Sequence, residues 1–110
     1  MRTATRLLAV AALAAVAACK PGGSDPVELG RKAFAANCTA CHNPDPTKEG
    51  SVGPAIAGSS LELVRARVLR AEYPPGYTPK RDTHLMPAQP FLAGDVENLA
   101  AYLGSLGRRE

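Results

Sequence analysis

The 110-residue sequence is poor in the residues that build large cores and metal sites. It has no tryptophan, two phenylalanines, three tyrosines and two histidines, against ten prolines and ten glycines. A short chain with so few aromatic residues makes a thin hydrophobic core, and thin cores usually need a cofactor, a metal or disulfides. Its three cysteines would leave an odd thiol in a disulfide framework. These shortages favour a cofactor as the source of stability.

An excess of charge of one sign is also missing. Thirteen Lys and Arg residues stand against ten Asp and Glu, which gives a formal net charge of +3. Two of the basic residues, Arg2 and Arg6, lie in an amino-terminal segment that we expect to be removed. The remainder is therefore close to neutral and has no basic block, so we expect no nucleic-acid partner.

The apolar run at the amino terminus is too short to cross a membrane. It spans residues 7–18, whereas a membrane-spanning helix needs about 20 residues. A basic start, a short apolar run and small residues at its end are typical of a secretory signal peptide. Residues 16–19, Val-Ala-Ala-Cys, resemble the lipobox of bacterial lipoproteins, which implies that Cys19 is acylated. The alternative is an ordinary signal peptide that contains a cysteine.

These features predict a signal peptide over residues 1–18, a lipidated Cys19 with a flexible tether over 19–25, and one domain over 26–110. We therefore expect the domain to be lipid-anchored on the periplasmic side of a bacterial membrane, either inner or outer.

Three segments of the domain have helical patterns and none has β-alternation, so we expect an all-α fold. The helices are predicted from about residue 26 into the 38–42 segment, over about 61–71, and over about 95–106. Asp25 is the predicted cap of the first helix. Ser59 with Glu62 forms the predicted capping box of the second.

The strongest chemical signal is Cys38-Thr39-Ala40-Cys41-His42. Residues three or four apart share one face of a helical turn, so the two thiols can reach the two vinyl groups along one haem edge. His42 then follows directly and offers a ring nitrogen to the iron. A redox dithiol lacks the βαβ pattern it needs, and a zinc site would have only His84 as a distant fourth ligand. The motif predicts one covalently attached haem.

From Gly30 to the carboxyl terminus the chain resembles a monohaem class I cytochrome c domain. Gly30 and Phe34 match the family's first helix, which packs against the last helix, and Tyr102 matches the aromatic residue of that last helix. The resemblance implies a small cytochrome c fold, in which three or more helices wrap around one covalently bound haem c.

Two further segments carry the resemblance. Residues 52–58 resemble the loop after the haem motif, which implies that the Pro54 carbonyl accepts a hydrogen bond from Nδ1–H of His42 and orients the ring. Leu85-Met86-Pro87 lies 44 residues after His42, which implies that Met86 is the second axial ligand of the iron. His84 is the alternative ligand, or simply a surface histidine.

A proline-rich insert, residues 73–81, departs from the commonest members of the family. We interpret Tyr77 and Arg81, and also Tyr73, as candidate contacts of the haem propionates. The alternative is that these side chains only pack within the loop. Three arginines of the second predicted helix are interpreted as a solvated face, with propionate pairing or partner docking as the alternative. They are Arg65, Arg67 and Arg70.

The expected function is one-electron transfer between exported or membrane-associated redox proteins through a His/Met-ligated haem, rather than enzymatic catalysis. One alternative is a haem enzyme or gas-sensing domain with a labile sixth ligand. Another is a fixed electron-relay subunit of a larger complex.

Overall fold

A computed structural model of the chain describes residues 25–107, and this part of the protein is helical without β-strands. Helix α1 spans Pro26–Asn37, α2 spans Leu61–Arg70 and α3 spans Val96–Gly107, with a 3-10 helix over Pro90–Asp95 leading into α3. The predicted all-α fold is confirmed. The predicted signal peptide and the lipidation of Cys19 lie outside the described residues. Within residues 25–107, no helix is both long and apolar enough to span a bilayer.

Helix α1 leads directly into the cysteine motif. Asp25 caps its amino terminus by accepting a hydrogen bond from the Val27 amide, 3.1 Å away, and Pro26 occupies the first turn. At the other end, the Cys38 amide donates to the Phe34 carbonyl and the His42 amide to the Cys38 carbonyl, both over 2.9 Å. These bonds continue the helical path for one more turn, so the motif is held on the end of α1 as predicted.

Helix α2 begins at Leu61 as predicted, but its cap lies one residue later than the sequence indicated. Its cap is Ser60, whose hydroxyl accepts from the Leu63 amide over 3.1 Å, and the prediction of Ser59 was wrong. The reason is that the Ser59 hydroxyl donates instead to the Ile56 carbonyl, 2.6 Å away, and closes the preceding turn. The helix ends at Arg70, and the cap residue that follows, Ala71, takes a left-handed conformation with φ of 54°.

The crossing of α1 and α3 organises the core. Gly30 lies so close to the Asn98 carbonyl that a side chain at this position would overlap it. Phe34 is buried and its ring centroid lies 5.7 Å from that of Tyr102, with the planes tilted by 53°. The contact predicted between these two helices is confirmed, and it places the middle of α1 against α3.

The rest of the core is aliphatic and comes from α2, the 3-10 helix and α3. Its buried side chains besides Phe34 are Val64, Val68, Leu92, Val96, Leu99 and Leu103. Phe91, the second phenylalanine of the chain, is 73 % exposed, because in the 3-10 helix its neighbour Leu92 takes the inward position. The core is as thin as the composition suggested, and several of its side chains also line a cavity beside the cysteine motif.

Candidate haem site

A cavity of about 280 Å³ with mostly apolar walls opens beside the cysteine motif. The motif forms one part of its wall, α2 another, and the segment between α2 and the 3-10 helix a third. Of the predicted site residues, the wall includes Cys38, Cys41, His42, Pro54, Tyr77, Arg81 and Met86, with Tyr73 beside them. The fold therefore brings together residues that are up to about 48 positions apart in the sequence.

The ring of His42 is held in one orientation. Its Nδ1 lies 3.0 Å from the carbonyl oxygen of Pro54. Because a carbonyl can only accept, Nδ1 carries the proton and donates it, which leaves the lone pair on Nε2. An imidazole held in this way is prepared to bind a metal through Nε2 and is made a stronger donor by the bond at Nδ1.

Gly53 packs against the same ring from the loop. A Cβ atom at this position would lie 2.5 Å from both Nδ1 and Cε1 of His42, so only glycine leaves room for the ring. The Gly53 amide also donates to the Cys41 carbonyl over 2.9 Å, which ties the loop to the motif. This role of Gly53 was not predicted from the sequence, although the position directly before Pro54 is a signal for it.

Both cysteines of the motif are free of disulfides and half-buried. Burial raises the pKa of the Cys38 thiol to about 11. A thiol in this environment stays protonated and inert near neutral pH, whereas a thioether carries no charge and suits the apolar wall. The burial is therefore well matched to a sulfur that is bonded to an apolar cofactor.

Met86 and His84 have different surroundings. Met86 is half-buried, packs against the hydrophobic core and contributes to the cavity wall. His84 is exposed and is absent from the described residues that line the cavity. Only Leu85 lies between them in the sequence, yet Met86 faces the cavity and His84 faces solvent.

Arg67, Tyr73 and Tyr77 form a stacked column on the cavity wall. The rings of Tyr73 and Tyr77 are nearly parallel with centroids 5.5 Å apart, and the Arg67 guanidinium lies 4.1 Å from the centroid of Tyr73. The interpretation of Arg67 as part of a solvated face was wrong, because the chain after α2 folds back over this arginine. Arg65 and Arg70 are exposed, in agreement with that interpretation.

Arg81 reaches across the cavity rim to the loop that contains Pro54. Its guanidinium donates to the carbonyls of Val52 and Gly50, over 2.7 and 2.9 Å, and to the carboxylate of Glu49 over 2.6 Å. The last of these bonds holds the pKa of Glu49 below its ordinary value of 4.5. The proposed contacts of Tyr77 and Arg81 with propionates stay a prediction, and both side chains lie on the wall where that prediction requires them.

The donor set of this cavity fits a covalently attached haem. The cavity wall carries the two thiols of the motif, three residues apart, and the imidazole of His42, whose Nδ1 bond leaves the lone pair on Nε2. The thioether of Met86 lines the same cavity. The sequence profile of cytochrome c matches residues 27–107, which is most of the chain. The protein belongs to the cytochrome c family. No match to a curated protein was found.

As a cytochrome c domain, the chain binds haem c covalently, and Cys38 and Cys41 have the spacing that the attachment requires. The family is one of haem-based electron carriers, typically not enzymes. The chemistry in such a protein is that of the cofactor, and the polypeptide supplies the ligands, the apolar surroundings and the orientation of the ring.

Proposed function

We propose that this cytochrome c is an exported one-electron carrier whose haem is attached through Cys38 and Cys41 and whose iron is ligated by His42 and Met86. The observation that carries the proposal is that Met86 and His42 line the same cavity, whereas His84 is exposed and outside the described wall. A half-buried thioether among apolar side chains is in an environment where a soft, neutral ligand is stable.

With iron in the cavity, haem supplies a reversible ferrous–ferric couple. His42 and Met86 would both ligate the iron, and a substrate or a gas would then find no open site on it. Pro54 fixes the tautomer and orientation of His42, so that Nε2 would be held ready to ligate the iron. The apolar wall around the sulfur of Met86 disfavours the ferric charge and therefore raises the reduction potential.

The same proposal includes export and anchoring. The apolar run over residues 7–18 and the lipobox-like segment before Cys19 support a lipid-anchored protein on the periplasmic side of a bacterial membrane. Redox proteins in the same compartment would be its partners. Replacement Cys19→Ser should release the protein from membranes with its haem spectrum unchanged. A wild-type protein that is soluble and unacylated by mass spectrometry would contradict the anchor.

The ligation is tested by two single substitutions. Met86→Ala should open the iron to carbon monoxide and lower the reduction potential while the covalent haem is retained. His84→Ala is the matched control and should keep the ferric sulfur-to-iron charge-transfer band. The proposal fails if the wild-type protein lacks this band and its low-spin spectrum is lost only in His84→Ala. It also fails if the wild-type protein binds carbon monoxide readily at neutral pH.

A further inference from the structure

The segment that carries Met86 has little backbone support. Within residues 25–107, no backbone–backbone hydrogen bond involves residues 78–88. The bonds nearest to this segment are those of the Tyr77 amide to the Pro74 carbonyl, 3.1 Å, and of the Gln89 amide to the Val68 carbonyl, 2.6 Å. A stretch of this length without secondary structure is free to move unless side chains hold it.

Two side chains hold it on the side that precedes Met86. Lys80 donates from Nζ to the Ala55 carbonyl over 2.7 Å, and Arg81 donates to the carbonyls of Gly50 and Val52 and to Glu49. We call this pair the Lys80–Arg81 clasp. All its partners lie between residues 49 and 55, the loop that also contains Pro54.

The clasp therefore connects the two loops that bear on the iron. On one side is Pro54, whose carbonyl orients His42. On the other side is Met86, which lies between the clasp and the bonded amide of Gln89. If the clasp opened, the unsupported segment would extend back to Tyr77, and more chain would be free to carry Met86 away from the cavity.

Most of the stability of the clasp comes from hydrogen bonds that the charged side chains donate to backbone carbonyls. Hydrogen bonds from a charged group are stronger than neutral ones, and Arg81 makes three bonds from one planar group whose side chain is 29 % exposed. The ion pair itself adds little, because the side chain of Glu49 is 64 % exposed to water.

We propose that the Lys80–Arg81 clasp governs how readily Met86 leaves the iron, by fixing the loop of Met86 to the loop that orients His42. This inference rests on the proposed ligation by Met86. Lys80 and Arg81 are positioning residues in this proposal, because they act through Met86 by holding its loop. The competing role for Arg81 is a contact with a haem propionate.

The test measures the departure of Met86 directly. In the ferric holoprotein, added imidazole replaces the methionine, and at high imidazole concentration the rate of replacement is limited by dissociation of the methionine. Loss of the sulfur-to-iron charge-transfer band follows the replacement. Arg81→Ala should raise the limiting rate about tenfold, equivalent to about 1.4 kcal/mol, and Lys80→Ala should raise it a few-fold. Arg81→Lys should be intermediate, since an ammonium keeps the charge but cannot reproduce the fork of donors.

Two control variants distinguish an effect of the clasp from the effect of removing a charge and from a loss of global stability. Arg31→Ala removes the same charge from an exposed pair with Glu28 on α1, and its rate should stay within about twofold of wild type. Gly30→Ala lowers global stability at the crossing of α1 and α3 without touching either loop. Its rate should also be unchanged, although its unfolding midpoint falls.

Each outcome decides a different statement. A wild-type protein without the charge-transfer band would overturn both the ligation by Met86 and the clasp. A wild-type protein with the band, together with clasp variants whose rates match those of Arg31→Ala, would overturn the clasp alone. Full restoration of the wild-type rate by Arg81→Lys, with a changed pH dependence of the reduction potential in Arg81→Ala, would assign Arg81 to a propionate instead. Graded rates in the three clasp variants would support the proposal.

Discussion

The contact between Gly53 and the ring of His42 allows a sharp prediction for Gly53→Ala. Gly53 is buried and its φ is not positive, so alanine can adopt the backbone conformation without strain. The effect of the substitution must therefore come from the added methyl group. That group would start 2.5 Å from Nδ1 and Cε1 of His42, whereas ordinary contacts begin at 3.4 Å.

Relief of this overlap requires a displacement of about 0.9 Å, shared between the loop and the ring. The hydrogen bond from Nδ1 of His42 to the Pro54 carbonyl is 3.0 Å long. A movement of that size would lengthen it beyond the range of a hydrogen bond. Loss of this bond costs about 1 kcal/mol, and overpacking of a buried site costs about 1–3 kcal/mol. We expect the free energy of unfolding to fall by about 2–4 kcal/mol, a large fraction of the stability of a small domain.

The assay is unfolding of the ferric holoprotein in guanidinium chloride, followed by circular dichroism, together with its visible spectrum. The haem stays covalently attached in the folded and unfolded states, so cofactor loss does not complicate the comparison. Weaker donation from a misplaced His42 should also add a high-spin component to the ferric spectrum.

Gly94→Ala is the matched control, because Gly94 also lacks a positive φ and nothing lies within 4 Å of a Cβ atom placed there. Its stability should change by less than about 0.5 kcal/mol. The reasoning would be refuted if Gly53→Ala were as stable as Gly94→Ala and had an unaltered low-spin spectrum, since the ring would then not occupy the place assigned to it.

Three further predictions concern the helix crossing, the clasp and the cofactor. Gly30→Ala should destabilise the protein by at least about 2 kcal/mol in chemical unfolding, because its methyl group meets the rigid Asn98 carbonyl, while Gly104→Ala, in open space on α3, should be neutral or slightly stabilising. Arg81 lowers the pKa of Glu49 in the folded state, so this carboxylate stabilises the protein above pH 4.5, and its contribution disappears as the pH falls through the lowered pKa. Glu49→Gln should therefore be less stable than wild type at pH 7, and the stabilities of the two proteins should converge in acid. Replacement of both motif cysteines by alanine should give a haem-free chain without a cooperative thermal transition, and a sharp two-state transition would contradict the view that the cofactor completes the core.

Most of the fold was predictable because its signals are local. A capping aspartate followed by proline starts α1, and an apolar stripe defines α3, both within one or two residues of the observed bounds. The resemblance of Gly30 and Phe34 to the family's first helix predicted the helix crossing, and at this distance the crossing has room for glycine alone. Where two serines stood side by side, the sequence did not distinguish the cap from its neighbour, because both have the same side chain.

The composition of the site was predictable for the same reason, but the partners of its side chains were not. The cysteine motif and its histidine are consecutive, so a single helical turn brings them together whatever the rest of the chain does. The exposure of Phe91, the column over Arg67 and the position of Gly53 on the histidine ring depend on how separate segments fold back on one another.

The sequence alone determined the helices and the cofactor motif, and it predicted Met86 as the second ligand with His84 as the alternative. The tertiary structure decided which of those two side chains faces the cavity. It also decided that Lys80 and Arg81 bind carbonyls and a carboxylate 25 to 32 residues away. The physical reason is that backbone carbonyls are alike in every residue, so no side-chain pattern marks the ones that a distant loop will reach.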